Sequence, residues 1–306
     1  MNLFKKIRMT RKHFGLIAFR NNSSQTTADY CMNLVKSYDY ENFLSLLLLK
    51  GKSRSCAFAV RCFNVEVARV AEQVSTKETG FMRMQFWEDT LEKCFVGNCD
   101  KVPRHPVAIE LFNAVSQNKL SKRHLKNLIL CRKEHFNLNS FQKLEDMESY
   151  SERSVSSVYY LILEGCDVRN VNADHAASHL GKAQGIVQHL RSVPQCKNLN
   201  FIPLPQSILV KNNVSQEELL RRKSTKSLSD CVYEVATRAH QHLMKARSLQ
   251  EKVPSEGRSV LLPAVATFTF LKRLENVNYD IFHPQLKLRP WNLLFKMWFS
   301  NFKNKY

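Results

Sequence analysis

Helix breakers are scarce in this sequence. Only 8 glycines and 9 prolines occur in 306 residues, and no proline precedes Pro103. A sheet-rich fold with many tight turns would need more of both, so long helices are expected. Nine cysteines are scattered without a Cys-x-x-Cys pair, Cys94 and Cys99 being the closest spacing that hints at a site. Their odd number points to reduced, mostly packed thiols in a compartment that builds no structural disulfides. The greasiest run, Leu44 to Leu49, is interrupted by Ser45 and is far too short to cross a bilayer. No Gly-x-Ser-x-Gly elbow supports a hydrolytic triad, and the dispersed glycines build no phosphate-cradling loop. Acids are missing at both ends: none precedes Asp29 and none follows Asp280 except the terminal carboxylate.

What fills the first end is basic and apolar. Residues 1–28 carry Lys5, Lys6, Arg8, Arg11, Lys12 and Arg20 among Leu3, Phe4, Ile7, Phe14, Leu16, Ile17 and Phe19, then Ser23, Ser24, Thr26 and Thr27. An Arg-bearing, hydroxyl-rich, acid-free amphipathic start is the composition of a mitochondrial transit peptide. A nucleic-acid-binding arm is the competing reading, but such arms seldom carry so much apolar bulk. The formal charge is +19, and without residues 1–28 the balance is still 40 basic against 27 acidic. That excess suits an anionic membrane surface or nucleic acid. No recognisable RNA motif and no Arg-aromatic platform occurs, so no nucleic-acid partner is expected.

Apolar periodicity reads as helices over 29–50, Ser53 to Val74, Phe81 to Phe95 after a break at Thr79-Gly80, and Lys122 to Phe136 after a Ser121 cap. A helix start is placed at His105-Pro106. A long helix over 140–165, then Asn172 to Val193, Ser215 to Arg222, Ser227 to Lys252 and Pro263 to Leu274 follow. The expectation is an all-α bundle: one helical domain over 29–285 and a basic aromatic tail over 286–306.

Two of these helices carry the chemistry. Phe63 to Glu72 has the shape of a metal-diphosphate segment, yet Ala68 and Arg69 stand where carboxylates would, with Glu72 beyond. Leu180 to Ser192, running on to Cys196, has Gln188, then Arg191-Ser192, then Cys196. Both segments resemble the two aspartate-rich motifs of the squalene/phytoene synthase family, whose acids hold Mg²⁺ against a prenyl diphosphate. Mg²⁺ wants near-octahedral oxygen donors, often one or two carboxylates plus phosphates. Ala68 offers no ligand, Arg69 places a fixed positive charge, and Ser192 and Cys196 are poor substitutes. The resemblance extends further, through Arg54, Arg83-Met84-Gln85-Phe86-Trp87, His105-Pro106 and the Tyr150-led helix. Phe63 to Glu66, Asp174 to His179 and Asp280 to Pro284 are similar to a mitochondrial branch of that family concerned with building respiratory complex I.

The resemblance implies an isoprenoid-synthase-like helical bundle without catalytic residues, metal or cofactor. It also implies a place on the matrix side of the inner membrane. The implied partners are complex I membrane-arm subunits, the mitochondrially encoded subunit 1 above all, and other assembly factors. An active or lipid-binding prenyl-diphosphate transferase of the matrix, drawing carboxylates from Glu66 and Glu72, is the rival.

Three further features stand apart. His175 and His179 lie at i and i+4 on one helix face, the spacing of many Zn²⁺ pairs, with His189 beyond. No Glu follows His175, and a third ligand such as Cys166 or Cys196 is not fixed by the sequence; a helix start near Asn172 is the plainer reading. Gly181 and Gly185, four apart, are suited to close helix packing. In the tail, Trp291, Phe295, Trp298 and Phe302 form one aromatic stripe among Lys287, Arg289, Lys296, Lys303 and Lys305. Such a stripe fits an interfacial membrane helix or a final core helix.

Overall fold

The computed structural model describes residues 26–198 and 201–306; residues 1–25, most of the expected presequence, lie outside them. Helices account for the described architecture, the only β pairing among these residues being an isolated bridge between Ser140 and Ile202. Helix α1 (Thr27–Tyr38) starts at a capping box: Thr26 Oγ1 accepts the Asp29 N–H at 3.1 Å, and the Asp29 carboxylate accepts the Thr26 N–H at 3.2 Å. Residues 26–28 are therefore the start of the bundle. A single helix over 29–50 was expected, but Asp39 leaves helical geometry (φ −137°, ψ 51°) and α2 (Tyr40–Leu46) begins anew.

The long α3 (Gly51–Gln73) is separated from α4 (Lys77–Val96) at Val74 to Thr76, where Thr76 Oγ1 accepts the Thr79 N–H at 3.3 Å. The break lies earlier than Thr79-Gly80. Gly80 sits inside α4, where a Cβ would stand 3.0 Å from the Phe136 ring, so packing rather than chain reversal explains this glycine. Pro106 opens α5 (Pro106–Gln117) as expected, with His105 Nδ1 accepting the Val107 N–H at 3.3 Å. Ser121 precedes α6 (Lys122–His135) without capping it by its side chain; its N–H donates to the Glu164 carboxylate at 2.8 Å.

The expected helix over 140–165 is α7 (Leu144–Ser151), one π-helical turn (Glu152–Ser156) and α8 (Ser157–Gly165) in continuous succession. Next comes α9 (Val171–Ser192), the central helix, which packs along α12 on one side and the π turn on another. Added Cβ atoms would meet Ser156 Oγ at 2.1 Å from Gly181 and Ser151 Oγ at 2.3 Å from Gly185, so this contact admits only glycine. The chain closes with α10 (Gln206–Lys211), α11 (Gln216–Leu220), α12 (Lys226–Ser248), α13 (Ser255–Arg258), α14 (Pro263–Asn276) and α15 (Leu293–Phe302).

The core runs unbroken through α1, α3, α8, α9 and α12, with Phe63, Met84, Leu125, Met147 and Tyr159 among its fully buried side chains. Each large apolar side chain so buried contributes roughly 1.5–3 kcal/mol. All nine cysteines are free, and Cys99 alone of them is exposed. Burial pushes the Cys94 and Cys231 thiols up to about 11, so both stay protonated.

The segment 286–306 is docked. Leu293 (1% exposed) and Met297 (fully buried) face α14 and α2, and the Tyr306 hydroxyl donates to the Ala246 carbonyl at 3.0 Å. The opposite face of α15 is bare, with Phe295 66%, Trp298 55% and Phe302 75% exposed, and Trp291 just ahead of the helix is 85% exposed. The final-core-helix reading is thus met by the docked face, while the aromatic stripe stays exposed on the other.

Candidate functional site

Helical periodicity puts Val65, Ala68, Arg69 and Glu72 on one face of α3, and Gln184, Gln188 and Arg191 on one face of α9. These faces line a cavity of about 1200 Å³, with further walls from α2, α6, α14 and the 286–290 stretch. Of the six motif positions, Ala68, Arg69, Glu72, Gln188 and Ser192 come together here. Cys196 does not. It is 3% exposed, and its Sγ lies 3.7 Å from the Leu219 carbonyl oxygen. Since α9 ends at Ser192 and a 3₁₀ turn follows, the helical spacing that would carry Cys196 onto the cavity face stops four residues short.

A buried polar chain supports one wall. The Tyr159 hydroxyl donates to Gln184 Oε1 at 2.5 Å, Gln184 Nε2 to Asn42 Oδ1 at 3.1 Å, and Asn42 Nδ2 to Asp39 Oδ1 at 2.6 Å. Arg61 Nη1 completes it on Asp39 Oδ2 at 3.2 Å. The Arg61 side chain is 3% exposed, so this pair is well desolvated and fixes the α2–α3 corner. It also explains the helix break, since Asp39 turns out of α1 to reach this arginine.

Electrostatically the cavity is basic: nine Lys or Arg residues line it against three acids. Two of the acids are engaged, Asp39 by Arg61 and Glu41 by Arg191 at 2.7 Å. Glu72, exposed, is the third. The arginines are held in place. Arg69 lies 3.6 Å over the Tyr38 ring, Arg191 4.5 Å from Phe270 and Arg289 4.6 Å from Tyr40. Arg132 donates to Asn64 Oδ1 at 2.7 Å and to the Leu128 carbonyl at 2.6 Å. Buried Nε atoms of Arg61, Arg69 and Arg191 have no acceptor.

The remaining wall is aromatic. His135 packs 4.2 Å from Phe201 and 4.7 Å from Tyr150, ring centre to ring centre, and His189 lies 5.6 Å from Tyr150. Burial pushes His135 down to about 4, aided by Arg132, and His189 down to about 3, aided by His135. Both imidazoles are neutral at physiological pH. Neither was singled out as cavity lining from sequence, because the rings that surround them come from three other segments.

The His175–His179 pair lies elsewhere, on the face of α9 toward α12. The two Nε2 atoms are 3.2 Å apart, and His179 Nδ1 stands 2.8 Å from Nδ1 of His242 on α12, 63 residues away. His242 Nε2 in turn is 3.2 Å from the Glu148 carboxylate, which Arg238 also engages. Which nitrogen donates in each of these two imidazole contacts depends on the tautomers. The pair thus acquires a third imidazole instead of Cys166 or Cys196. Among the described residues, no group of three or more His, Cys, Asp or Glu is arranged to hold a metal ion.

Comparison with known proteins agrees with this architecture. The squalene/phytoene synthase family profile matches residues 35–292. Human NADH dehydrogenase (ubiquinone) complex I, assembly factor 6 is 42% identical over 276 residues, which cover 89% of this chain and 82% of that one. Its homolog from Drosophila melanogaster is 41% identical over 283 residues, covering 91% and 84%. A dehydrosqualene synthase structure superposes with a TM-score of 0.75 at 17% identity, covering 90% of this chain and 96% of that one, and so shares the fold. The chain belongs to the squalene/phytoene synthase family.

Proposed function

We propose that this protein is a non-catalytic assembly factor for respiratory complex I, acting on its membrane arm from the matrix side of the mitochondrial inner membrane. The observation that carries the reading is the donor set of the cavity. Ala68 supplies no ligand, Arg69 repels cations, and Asp39 and Glu41 are committed to arginines. Glu72 alone remains, and one carboxylate amid this excess of positive charge does not fit Mg²⁺. Relatives with about 40% identity carrying a complex I assembly-factor name give the direction of the function. The mitochondrially encoded subunit 1 and other assembly factors are the partners we infer, and the residues ahead of Thr26 the import signal.

Attachment to the inner membrane is peripheral in this reading. No helix among the described residues is long and apolar enough to cross a membrane. The exposed stripe of α15 instead pairs aromatic side chains with basic ones, and a shallow groove beside Trp298 and Phe302 adds Lys50 and Arg54 from the start of α3. Aromatic burial plus attraction to an anionic surface supplies two membrane signals together.

The test is complementation. Cells lacking the protein are given the wild-type chain or Glu72→Gln, and complex I is followed on native gels. Both should restore assembly, and the purified chain should form no product from farnesyl or geranylgeranyl diphosphate with Mg²⁺. Failure of a well-folded Glu72→Gln chain, with product formed by the wild type, would establish the transferase rival.

A further inference from the structure

We propose that His175 and His179 form an exchangeable two-histidine site for a late transition metal ion, Cu²⁺, Ni²⁺ or Zn²⁺, where α9 faces α12. Neither ring is needed for the local fold. Asn170 already caps α9, its Oδ1 accepting the Asn172 and Ala173 N–H groups at 2.9 and 3.0 Å. His175 is exposed and His179 half-buried, so neither fills the core. One turn of helix sets them on the same face, the spacing at which two imidazoles chelate one ion.

The two contacts of His179 differ in length. Two nitrogens bound to one Zn²⁺ at about 2.0–2.1 Å stand about 3.3 Å apart at a tetrahedral angle. His175 Nε2 and His179 Nε2 are 3.2 Å apart, close to that bite. The 2.8 Å between His179 Nδ1 and His242 Nδ1 is too short to admit an ion and suits a hydrogen bond. Binding at Nε2 selects the tautomer in which His179 gives its Nδ1 proton to His242. His242 Nε2 then faces the Glu148 carboxylate at 3.2 Å. A metal-bound imidazole is ordinarily backed in this way, by an acceptor for its other N–H.

The surroundings favour loose, exchangeable binding. Burial, then the neighbouring His242, His175, Lys182 and Lys245, push His179 down to about 4, so no proton competes for its lone pair at neutral pH. The positive groups nearby oppose an added cation, but two of them are engaged. Arg238 is bonded to Glu148, and Lys182 lies 3.8 Å from Glu152. With only two protein donors, the ion keeps its other positions for water, whereas structural zinc sites are closed by four protein ligands. Imidazole suits copper, nickel and zinc, while Mg²⁺ demands oxygen.

The test is calorimetry on the full-length chain carrying Cys99→Ser, which removes the one exposed thiol among the nine cysteines. NiCl₂, ZnCl₂ and MgCl₂ are titrated. Ni²⁺ should bind more tightly than or about as tightly as Zn²⁺, and Mg²⁺ should not bind at this site. His175→Gln should weaken Ni²⁺ by at least about tenfold, because the second donor acts at high effective concentration. The melting curve of the metal-free chain should not change, His175 being exposed. Electron paramagnetic resonance of the Cu²⁺-loaded chain should show two imidazole nitrogens, and one in His175→Gln. His242 is a positioning residue here. His242→Phe should weaken Ni²⁺ by about tenfold, and His242→Gln, whose amide oxygen still accepts from Nδ1, should recover most of that loss. Equal weakening by both His242 variants overturns the positioning role. Ni²⁺ affinity unchanged by His175→Gln, or a Cu²⁺ spectrum with the same nitrogens in that variant, overturns the site itself.

Discussion

Two basic regions of this molecule hold positive charge in opposite ways. In the cavity it is mainly arginine, and each guanidinium is placed: Arg61 on Asp39, Arg191 between Glu41 and Phe270, Arg69 over Tyr38. Along 286–306 it is mainly lysine, in a stretch with no acid of its own, and Lys303 lies 4.1 Å over the exposed Phe299. Planar, weakly hydrated guanidinium groups suit fixed, forked recognition, while hydrated ammonium groups on flexible stems suit a diffuse charged surface. The same sign of charge therefore builds a shaped pocket in one place and an adhesive face in the other. Removing Arg61, whose guanidinium is buried on Asp39, should cost the fold, whereas removing a tail lysine should cost only an interaction.

The largest expected effect is at Arg61. Replacing it with Leu leaves Asp39 half-buried without its charge partner, held only by Asn42 at the end of the polar chain. A loss of about 3 kcal/mol is expected in urea denaturation, since stranding one member of a buried pair costs this much. Adding Asp39→Asn should return part of it. A loss indistinguishable from that of Lys303→Ala would erase the distinction between the two regions. Next comes Gly181→Ala, which shapes the cavity from behind. Its Cβ would fall 2.1 Å from Ser156 Oγ and 2.6 Å from Ser156 Cα, so α9 must shift, at a cost of roughly 1–3 kcal/mol. Substitution of exposed Lys296 by Ala should stay within about 0.5 kcal/mol.

Acid separates the regions again. His135 and His189 titrate at about 4 and about 3 in the folded chain, well below the ordinary 6.5. Between those values and pH 6.5 the unfolded chain binds protons that the folded chain refuses. Stability is therefore full above pH 6.5 and falls as pH drops toward 4, by up to about 1.4 kcal/mol per pH unit for each histidine. His189→Phe should flatten that slope in urea denaturation repeated from pH 7 to pH 4, because the ring stays and the titration goes. An unchanged slope would mean that carboxylates such as Glu148, held low partly by Arg238 and His242, dominate the acid limb instead.

Much of this was legible in the sequence, and the failures have physical causes. Scarce glycine and proline gave the all-helical class, and the limits of α9 fell within a residue because Asn170 caps its start and its apolar face is regular. The break at Asp39 was invisible, since no glycine or proline marks it and its cause, Arg61, lies 22 residues away. Cys196, which the resemblance puts at the end of the second motif, lies beyond the end of α9 and outside the cavity lining. Arg132, Arg289 and the His135–His189 wall were unreadable as parts of one cavity because only tertiary packing of α6, α9 and the 286–290 stretch brings them together. The aromatic stripe of α15 was plain, but both faces of that helix are apolar, so periodicity alone did not say which one docks.

The smallest expected effects belong to single tail lysines, and they test the adhesive face most sharply. Lys303 and Lys305 follow α15, while Leu293, Met297 and Tyr306 anchor the segment, so truncation would confound binding with unfolding. Point substitutions avoid this. Lys303→Ala and Lys305→Ala should each weaken binding to cardiolipin-containing vesicles by about 1 kcal/mol, the usual contribution of a basic residue near an anionic surface. Their effects should add, shrink together as NaCl is raised, and leave the melting temperature unchanged. Trp291→Ser with Phe295→Ser should instead remove a component of vesicle binding that survives high salt, because headgroup burial of aromatic rings is not screened. Were the lysine substitutions silent on vesicles while Trp291→Ser and Phe295→Ser lowered the melting temperature, the exposed face would belong to a protein contact and not to the bilayer.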